Sequence, residues 1–595
     1  MYKKPFTIIK KKGEDFLRYY TGELKKYNLL SEMEENKEQI FITPFSQAKE
    51  RGFEVIENQE KIISILIDKE IQLTKKELEE SFLNTEIILD GELNENYTKE
   101  DYSKIVDDII KKEIGNGEGS NFCIAQKIKG KIKDFEINKA LTIFDRIVES
   151  EFGSYMQFIF FDGNEFFIGA SPERNVSVEK NIVRMNPISG TFRKSKYTNY
   201  KDFKNDFIPF LNDQKEINEL FMCVDEELKM MSKICSSGGM VVGPILKEMA
   251  NLIHTEYLLS GQTNMKKLDV FRESIWACTV VGSPIESAFK IVKKYENFDR
   301  RYYAGSICHM KEDLLDSSIM IRTINIKNDG NIEMFVGASL VKDSVGENEY
   351  HETKEKSKGV LNALLGIKKE KRSFLEKYYL DDEVQELIQK RNQNLSKTWF
   401  FKQDLENIKK KDEKILIINN EDDFTNMIAH ILKISGYNIE LKRFSNINIE
   451  DVKQSDITLI GPGPGNPLDN NEKMNKNIEI IDYLYKNNKK FFGICLGHQL
   501  ICRYLKIEVK RKNTPTQGEQ IEIDLYGNKE KVAFYNTFAG FYKENLDGIE
   551  FSKKEDGEIY SLKGENFFSF QFHPESILTQ NGLNILNENL NRIIG

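Results

Sequence analysis

The stretch KFFGICLGHQLICRYL, residues 490–505, carries an apolar strand pattern into a corner, Gly493-Ile494-Cys495-Leu496-Gly497, and leaves it as a helix. A strained strand-to-helix turn of this G-x-nucleophile-x-G form lifts the central side chain clear of the backbone, and the helix N-terminus behind it lowers the pKa of a thiol. The same five residues are equally the pattern of a small buried cysteine packed between glycines. Around the corner, KILIINN (414–420) reads as a buried strand. DFTNMIAHILKISG (423–436) reads as a helix capped near Asp423 and stopped by Gly436, and DITLIGPGPG (456–465) as a strand entering a tight glycine turn. Strands and helices alternate, which predicts a doubly wound α/β domain over residues 413–595 with its ligand site at the strand carboxyl ends.

Three features follow one another at those ends. GPGPG (461–465) offers backbone N–H groups suited to an oxyanion hole, the cysteine corner comes next, and FQFHPES (570–576) ends a strand with His573 and, two residues on, Glu575. An imidazole there can serve the thiol as a base, with the carboxylate orienting it. A glycine-proline loop alone is an ordinary turn and a lone histidine an ordinary polar residue; the ordered set points to thiol catalysis. In this order the motifs resemble a class I glutamine amidotransferase domain. The resemblance implies that Cys495 attacks a glutamine amide and that His573 and Glu575 complete the triad. It places Gly461 and Gly463 in the oxyanion loop, and Gln499, Gln517, Asn536 and Thr537 on substrate glutamine. QGEQ (517–520) and YNTF (535–538) stand where relatives have HGK and YHSL.

A chain of 595 residues, at roughly 100–200 per domain, should hold about three to five structural units. The net charge of −9 arises from 86 basic and 95 acidic residues, well mixed along the chain, so there is no basic footprint for nucleic acid and no polybasic membrane patch. No run approaches the ~20 apolar residues of a membrane span, and MYKKPFTIIKKKGEDF at the N-terminus lacks a leader's apolar core. Seven scattered cysteines without a CxxC argue against a disulfide framework or a zinc site and suggest a reduced, cytoplasmic setting. Residues 367–412 are highly charged and free of Gly and Pro; they read as a mostly helical connector, with Val384, Leu387 and Ile388 at helical spacing and Trp399, Phe400 and Phe401 as anchors. Ahead of it, residues 1–366 mix strand-like runs such as YMQFIFFDG, FFIGASPE and VRMNPISGTF with long helical patterns, which predicts an α+β domain.

Two E-x-x-E pairs stand out in that domain. Glu216 and Glu219 flank an apolar helical stripe of Ile217, Leu220, Phe221, Val224, Leu228 and Met231, and Glu349 and Glu352 lie on a second helical pattern. Carboxylate pairs on separate helices suit a hard divalent ion, but in so acidic a chain the spacing alone reads first as solvated helix faces. The words around them, SPERN, PISGT, KEINE, VVGSPIESA, RYYAG, IRT and VGASLVKDS, occur in that order from Ser171 and resemble the chorismate-utilising enzymes, which comprise the anthranilate, isochorismate and aminodeoxychorismate synthases. The resemblance spans about residues 40–365. It implies Mg2+ held by Glu219 and Glu352 with Glu216 and Glu349 in support, and substrate contacts from Gly190, Thr191, Thr279, Tyr303 and Arg322, with His254 near the reacting ring. An arginine on an apolar edge suits bidentate carboxylate recognition, although a surface strand arginine reads the same, as does a structural histidine at 254.

Positions within the motifs narrow the reaction that the resemblance implies. Relatives that aminate at C4 carry a lysine where this chain has Ser189, and those that activate water carry one where GSNFCIAQK places Asn121. Ammonia needs no such base, so attack at C2 with loss of the C4 hydroxyl is expected. MNPISGT, DEELKMM, LKEMANLIHTEY and GSPIES look most like the phenazine-pathway 2-amino-2-deoxyisochorismate synthases, fused in this same order. Anthranilate synthases, which go on to eliminate pyruvate, more often read DLARND at 225–230 and HLVS at 254–257, and no LLES-type motif of theirs occurs near the N-terminus. The family resemblance also suggests a homodimer.

Overall fold

Runs of β-branched and aromatic residues buried on both faces, as in Met156–Phe161 and Glu165–Ser171, belong to strands with neighbours on either side. The computed structural model describes residues 4–595 except 195, 369–372, 404, 406, 407, 543 and 545. Its N-terminal part is an 18-stranded antiparallel network. From Asn121–Lys131 the ladder passes through Asn331–Val341, Thr323–Lys327, Glu165–Ser171 and Met156–Phe161 to Phe6–Lys11. It continues through Leu17–Tyr27, Ile62–Leu73, Gln39–Thr43, Ser306–Lys311, Leu314–Ile319, Arg174–Glu179 and Ile182–Met185 to Leu252–Gln262. Asn121 stands at one end of this path and His254 at the other, yet both line a single cavity: the sheet brings its two ends together around a pocket.

The expected continuous strand VRMNPISGTF is two strands, Ile182–Met185 and Ile188–Arg193, with Pro187 between them; proline has no N–H to give to a ladder. The helix Gln214–Ile234 begins at Asp213, whose side chain accepts from the amides of Lys215 and Glu216. Its apolar stripe is buried from Leu220 onward, with Ile217 half-buried, but so is every residue from Leu220 to Met231, because a second domain covers the other face. This helix is a wall between the two domains.

The C-terminal domain has a seven-stranded sheet in the order Asn438–Arg443, Lys414–Asn419, Ile457–Ile460, Lys490–Ile494, Phe567–Phe570, Ile559–Lys563, Glu550–Lys553. The first five are parallel and the last two antiparallel. A long hairpin, Glu508–Leu525 with Asn528–Phe541, lies against the wall helix, and a Cβ on its Gly518 would collide with the Met222 side chain. Two further contacts tie the domains at the glycine loop: Gly465 N–H donates to Gly117 O at 2.9 Å, and Thr537 Oγ1 donates to Ile114 O at 2.9 Å.

Within 367–412, residues 369–372, 404, 406 and 407 lie outside the described residues; the rest includes helices Leu375–Tyr379 and Asp382–Lys390 and a short 3-10 turn, Lys397–Phe400. Val384 and Ile388 are buried against Phe203, Phe207 and Phe374. Of the expected aromatic anchors, Trp399 is fully buried and Phe401 is 67% exposed. The Trp399 indole donates to the backbone carbonyl of Glu575 at 3.0 Å, so the connector is fastened behind the predicted triad. Among the described residues no helix is long and apolar enough to cross a membrane. Trp399→Ala should lower the stability of the C-terminal domain by about 3–5 kcal/mol, the usual cost of emptying a large buried aromatic site. Urea unfolding followed by far-UV circular dichroism measures it, and a loss below about 1 kcal/mol would mean that the connector is not an anchor.

Candidate active site at the domain boundary

Cys495 closes the strand Lys490–Ile494 and opens the helix Leu496–Tyr504, with φ 53° and ψ −105°, a conformation strained for any residue with a Cβ. The glycines on either side are sterically required. A Cβ on Gly493 would meet the Ile501 side chain and the Gly497 carbonyl carbon, and one on Gly497 would collide with the Ile460 carbonyl oxygen of the neighbouring strand. The adjacent parallel strand Phe567–Phe570 delivers His573, whose Nδ1 lies 2.7 Å from Glu575 Oε1. His573 lines the same cavity as Cys495. Burial opposes charging this ring, but the Glu575 carboxylate and the Cys495 sulfur outweigh it and push the imidazole up to about 10. The pair is therefore built to hold a proton on His573 beside the Cys495 sulfur. Cys495 Sγ also lies 3.5 Å from the Tyr535 carbonyl oxygen.

Gly463 and Gln517 line this cavity, as predicted. Gly461, Gln499, Asn536 and Thr537 do not. Gly461 sits against the Ile418 carbonyl, and Gln499 Nε2 donates to Phe538 O and Gln571 Oε1. Asn536 Nδ2 donates to Phe538 O, and Thr537 bonds across the domain boundary. Phe424 and Tyr535, which the sequence did not single out, complete the wall; their rings lie 4.3 and 5.3 Å from that of His573.

The second cavity, in the N-terminal domain, collects Asn121, Gly190, Thr191, Glu219, His254, Thr279, Tyr303, Arg322 and Glu352 from distant stretches of chain. A bulge between Ser189 and Thr191, with Gly190 at φ 71°, turns the Gly190 carbonyl to His254 Nδ1 at 2.9 Å. A carbonyl can only accept, so Nδ1 carries the proton and Nε2 presents a lone pair, which faces Arg322 Nη2 at 3.4 Å. Burial and the Arg322 charge hold His254 down to about 3, neutral at any working pH. Arg322 occupies the short link between Leu314–Ile319 and Thr323–Lys327, with φ 52°, and is half-buried as it lines the pocket instead of lying on a strand surface.

Glu216 and Glu349 stand just outside the cavity lining. Glu216 accepts from Thr191 N at 3.1 Å, and Glu219 from Ser189 Oγ at 2.9 Å. Burial and the charge of Glu219 push Glu216 up to about 7; burial and Glu352 do the same to Glu349 and also raise Glu219. For Glu352 burial is outweighed by Lys356, 2.7 Å away, and its carboxyl is lowered. Among the described residues no three such groups already close on one point as a ligand cluster. Three carboxyls that burial and mutual repulsion make reluctant to ionise, with the ionised Glu352 among them, are nonetheless the donor set that a hard divalent cation relieves. Sequence reasoning also missed Glu173 of the SPERN motif. Fully buried in this cavity, it accepts from Thr279 Oγ1 at 3.1 Å, and burial pushes it up to about 7, so it can carry a proton at neutral pH.

Adjacent residues line the two cavities. Ser120 lines the thiol cavity, while the next residue, Asn121, lines the other, and Ser120 Oγ donates to Asn121 Oδ1 at 3.2 Å. Lys229 of the wall helix reaches the thiol side, bonded to Glu226 and to Asp422 at 3.2 Å and 3.6 Å from the centroid of the Phe424 ring.

Residues 30–362 match the family described as chorismate binding enzyme, and residues 416–593 match glutamine amidotransferase class-I. The phenazine-specific anthranilate synthases of Pseudomonas chlororaphis and Pseudomonas fluorescens are each 35% identical to the chain, over 98% of its length and 94% of theirs. The menaquinone-specific isochorismate synthase of Escherichia coli shares the fold, with TM-score 0.52 at 16% identity over 61% of this chain and 89% of that one. Matched along nearly its whole length, the chain belongs to the chorismate-binding enzymes that carry a class-I glutamine amidotransferase domain.

Proposed function

We propose that this protein aminates chorismate at C2 with nitrogen taken from glutamine, and that it releases 2-amino-2-deoxyisochorismate. The observation that carries this reading is that the adjacent residues Ser120 and Asn121 line the thiol cavity and the acceptor cavity, so that ammonia freed at the thiol has a short way to go to the acceptor. Residues 413–595 serve as the glutaminase and 1–366 as the synthase. Cys495 attacks the glutamine amide, His573 passes its proton to the departing ammonia, Glu575 steadies the ring, and the loop at Gly463 receives the oxyanion.

In the acceptor pocket Arg322 pairs with a carboxylate of chorismate, and Thr191 and Tyr303 border the ring. Glu219 and Glu352, backed by Glu216 and Glu349, would hold Mg2+, which supplies charge neutralisation for the substrate carboxylates. Ammonia bonds to C2, the two ring double bonds each move one position, and the C4 hydroxyl leaves as water with a proton from Glu173. The new C2 ammonium returns one proton to the site, so the charge balances. Asn121 cannot take a proton from water, which disfavours the hydroxyl-transfer reaction of isochorismate synthases.

Elimination of pyruvate would need a base for the C2 proton. His254 is poorly suited: its one free lone pair faces Arg322, and burial keeps it from accepting a proton. That supports release of the amino-isochorismate over anthranilate. The buried, unpaired cysteines agree with a cytoplasmic setting.

The direct test incubates the protein with chorismate, glutamine and Mg2+ and follows fluorescence and product mass. A non-fluorescent product that keeps the enolpyruvyl group is expected; fluorescent anthranilate with pyruvate would mean that elimination also occurs. Cys495→Ala should abolish glutamine-dependent turnover and leave turnover with ammonium salts intact; loss of both in a folded variant would refute the division of labour. Glu173→Gln should slow chorismate consumption about 10²–10⁴-fold with either nitrogen source, the usual contribution of a general acid, while glutamate release from glutamine survives.

A further inference from the structure

Both oxygens of Asp225, in the middle of the wall helix, accept hydrogen bonds from the amidotransferase domain. Oδ1 takes the Ile577 N–H at 2.9 Å, and Oδ2 takes the Tyr535 hydroxyl at 2.8 Å and the Ser576 hydroxyl. The carboxylate is fully buried, and each of these donors adjoins the triad. Ser576 directly follows Glu575, which holds His573. Tyr535 packs edge-on against the His573 ring at 5.3 Å, and its carbonyl lies 3.5 Å from the Cys495 sulfur. At one remove, a side chain of the chorismate-side domain therefore touches every member of the triad.

We propose that Asp225 is a positioning residue for glutamine hydrolysis: from the wall helix it fixes Tyr535 and the Ser576–Ile577 backbone, and through them sets the alignment of His573, Glu575 and Cys495. The same helix carries Glu219 and Cys223 into the acceptor pocket, with Glu219 about 9 Å along the axis from Asp225 at the helical rise per residue. A shift in the seat of that helix when the acceptor site fills is felt at the thiol through this carboxylate. The link to the acceptor rests on the function proposed above; the alignment of the triad does not.

The test uses the full chain. Glutamate release from glutamine is measured with and without chorismate and Mg2+, and chorismate consumption is measured with ammonium salt. Asp225→Ala should lower kcat for glutamine hydrolysis about 10–100-fold, the scale of a small misplacement of catalytic groups, with KM for glutamine changed less than about threefold. Ammonia-dependent turnover should stay within about twofold of the parent. Stimulation of hydrolysis by chorismate, about fivefold or more in the parent, should fall to near one. Tyr535→Phe, which removes one donor and opens no cavity, should move the same quantities in the same direction by a smaller factor. If hydrolysis without chorismate is unchanged in Asp225→Ala, or if both variants lose hydrolysis and ammonia-dependent turnover in parallel with Tm, the carboxylate only joins the domains and the proposal fails. A parent chain that consumes no chorismate with ammonia contradicts the acceptor reading alone, because hydrolysis and its dependence on Asp225 are read without chorismate.

Discussion

A helix buried on every side must satisfy within the protein each charge it carries, and the wall helix carries Asp225, Glu226, Glu227 and Lys229 within five residues. An uncompensated buried charge costs several kcal/mol, so each needs its own solution. Asp225 takes its donors from the far domain, and Glu226 shares Lys229 and the Ser283 hydroxyl. Lys229 adds Asp422 and the face of Phe424, both across the boundary. Glu227, whose Oε2 has no partner among the described residues, has its carboxyl pushed far up by burial and by Glu173, which disfavours its charged form. Separation of the domains would strand Asp225 and Lys229, so the interface behaves as an interior and not as a surface contact.

That constraint explains why both sites sit where they do. In the C-terminal domain the glycine loop, the cysteine corner and the His573 strand leave the carboxyl ends of three neighbouring parallel strands, Ile457–Ile460, Lys490–Ile494 and Phe567–Phe570, so they converge without any long-range adjustment. In the N-terminal domain the pocket forms where the two ends of one antiparallel ladder come together, with the wall helix across the gap. One helix is then a common border: Glu219 and Cys223 on the acceptor side, Lys229 on the thiol side.

The cysteine corner was legible because its chemistry is local. Two glycines, one thiol and a strand-to-helix change in periodicity lie within five residues, and steric collisions at Gly493 and Gly497 enforce that spelling. The glutamate helices were legible through their periodicity, and the wall helix through its stripe, but a stripe reports only one buried face. The second face was hidden because its residues are charged, and sequence reads a charged face as solvated unless a partner is known. A block of four charges set between Val224 and Met231 was the available signal. Glu173 was hidden differently: its chemistry depends on burial supplied by strands far away in sequence. The strand break at Pro187 was readable from proline itself and was outweighed by the apolar run around it.

Protonation finally separates the two halves of the reaction. Ammonia is a nucleophile only while unprotonated, so the groups along its path must not give it a proton. Lys229 is a second cation on the thiol side beside His573, and Asp422 and Glu226 overcome its burial to raise its pKa well above that of a free lysine, so it holds its proton against ammonia. Ser120 and Asn121, the adjacent residues that line the one cavity and the other, are a hydroxyl and an amide that neither give up nor take a proton at neutral pH. Glu173 is the opposite case, a carboxylic acid pushed up to about 7 that lines the acceptor pocket and not the thiol cavity. On the reading proposed above, the Glu173 proton sits where a hydroxyl has to leave, and beyond His573, which gives its proton at the moment of release, Lys229, Ser120 and Asn121 keep theirs.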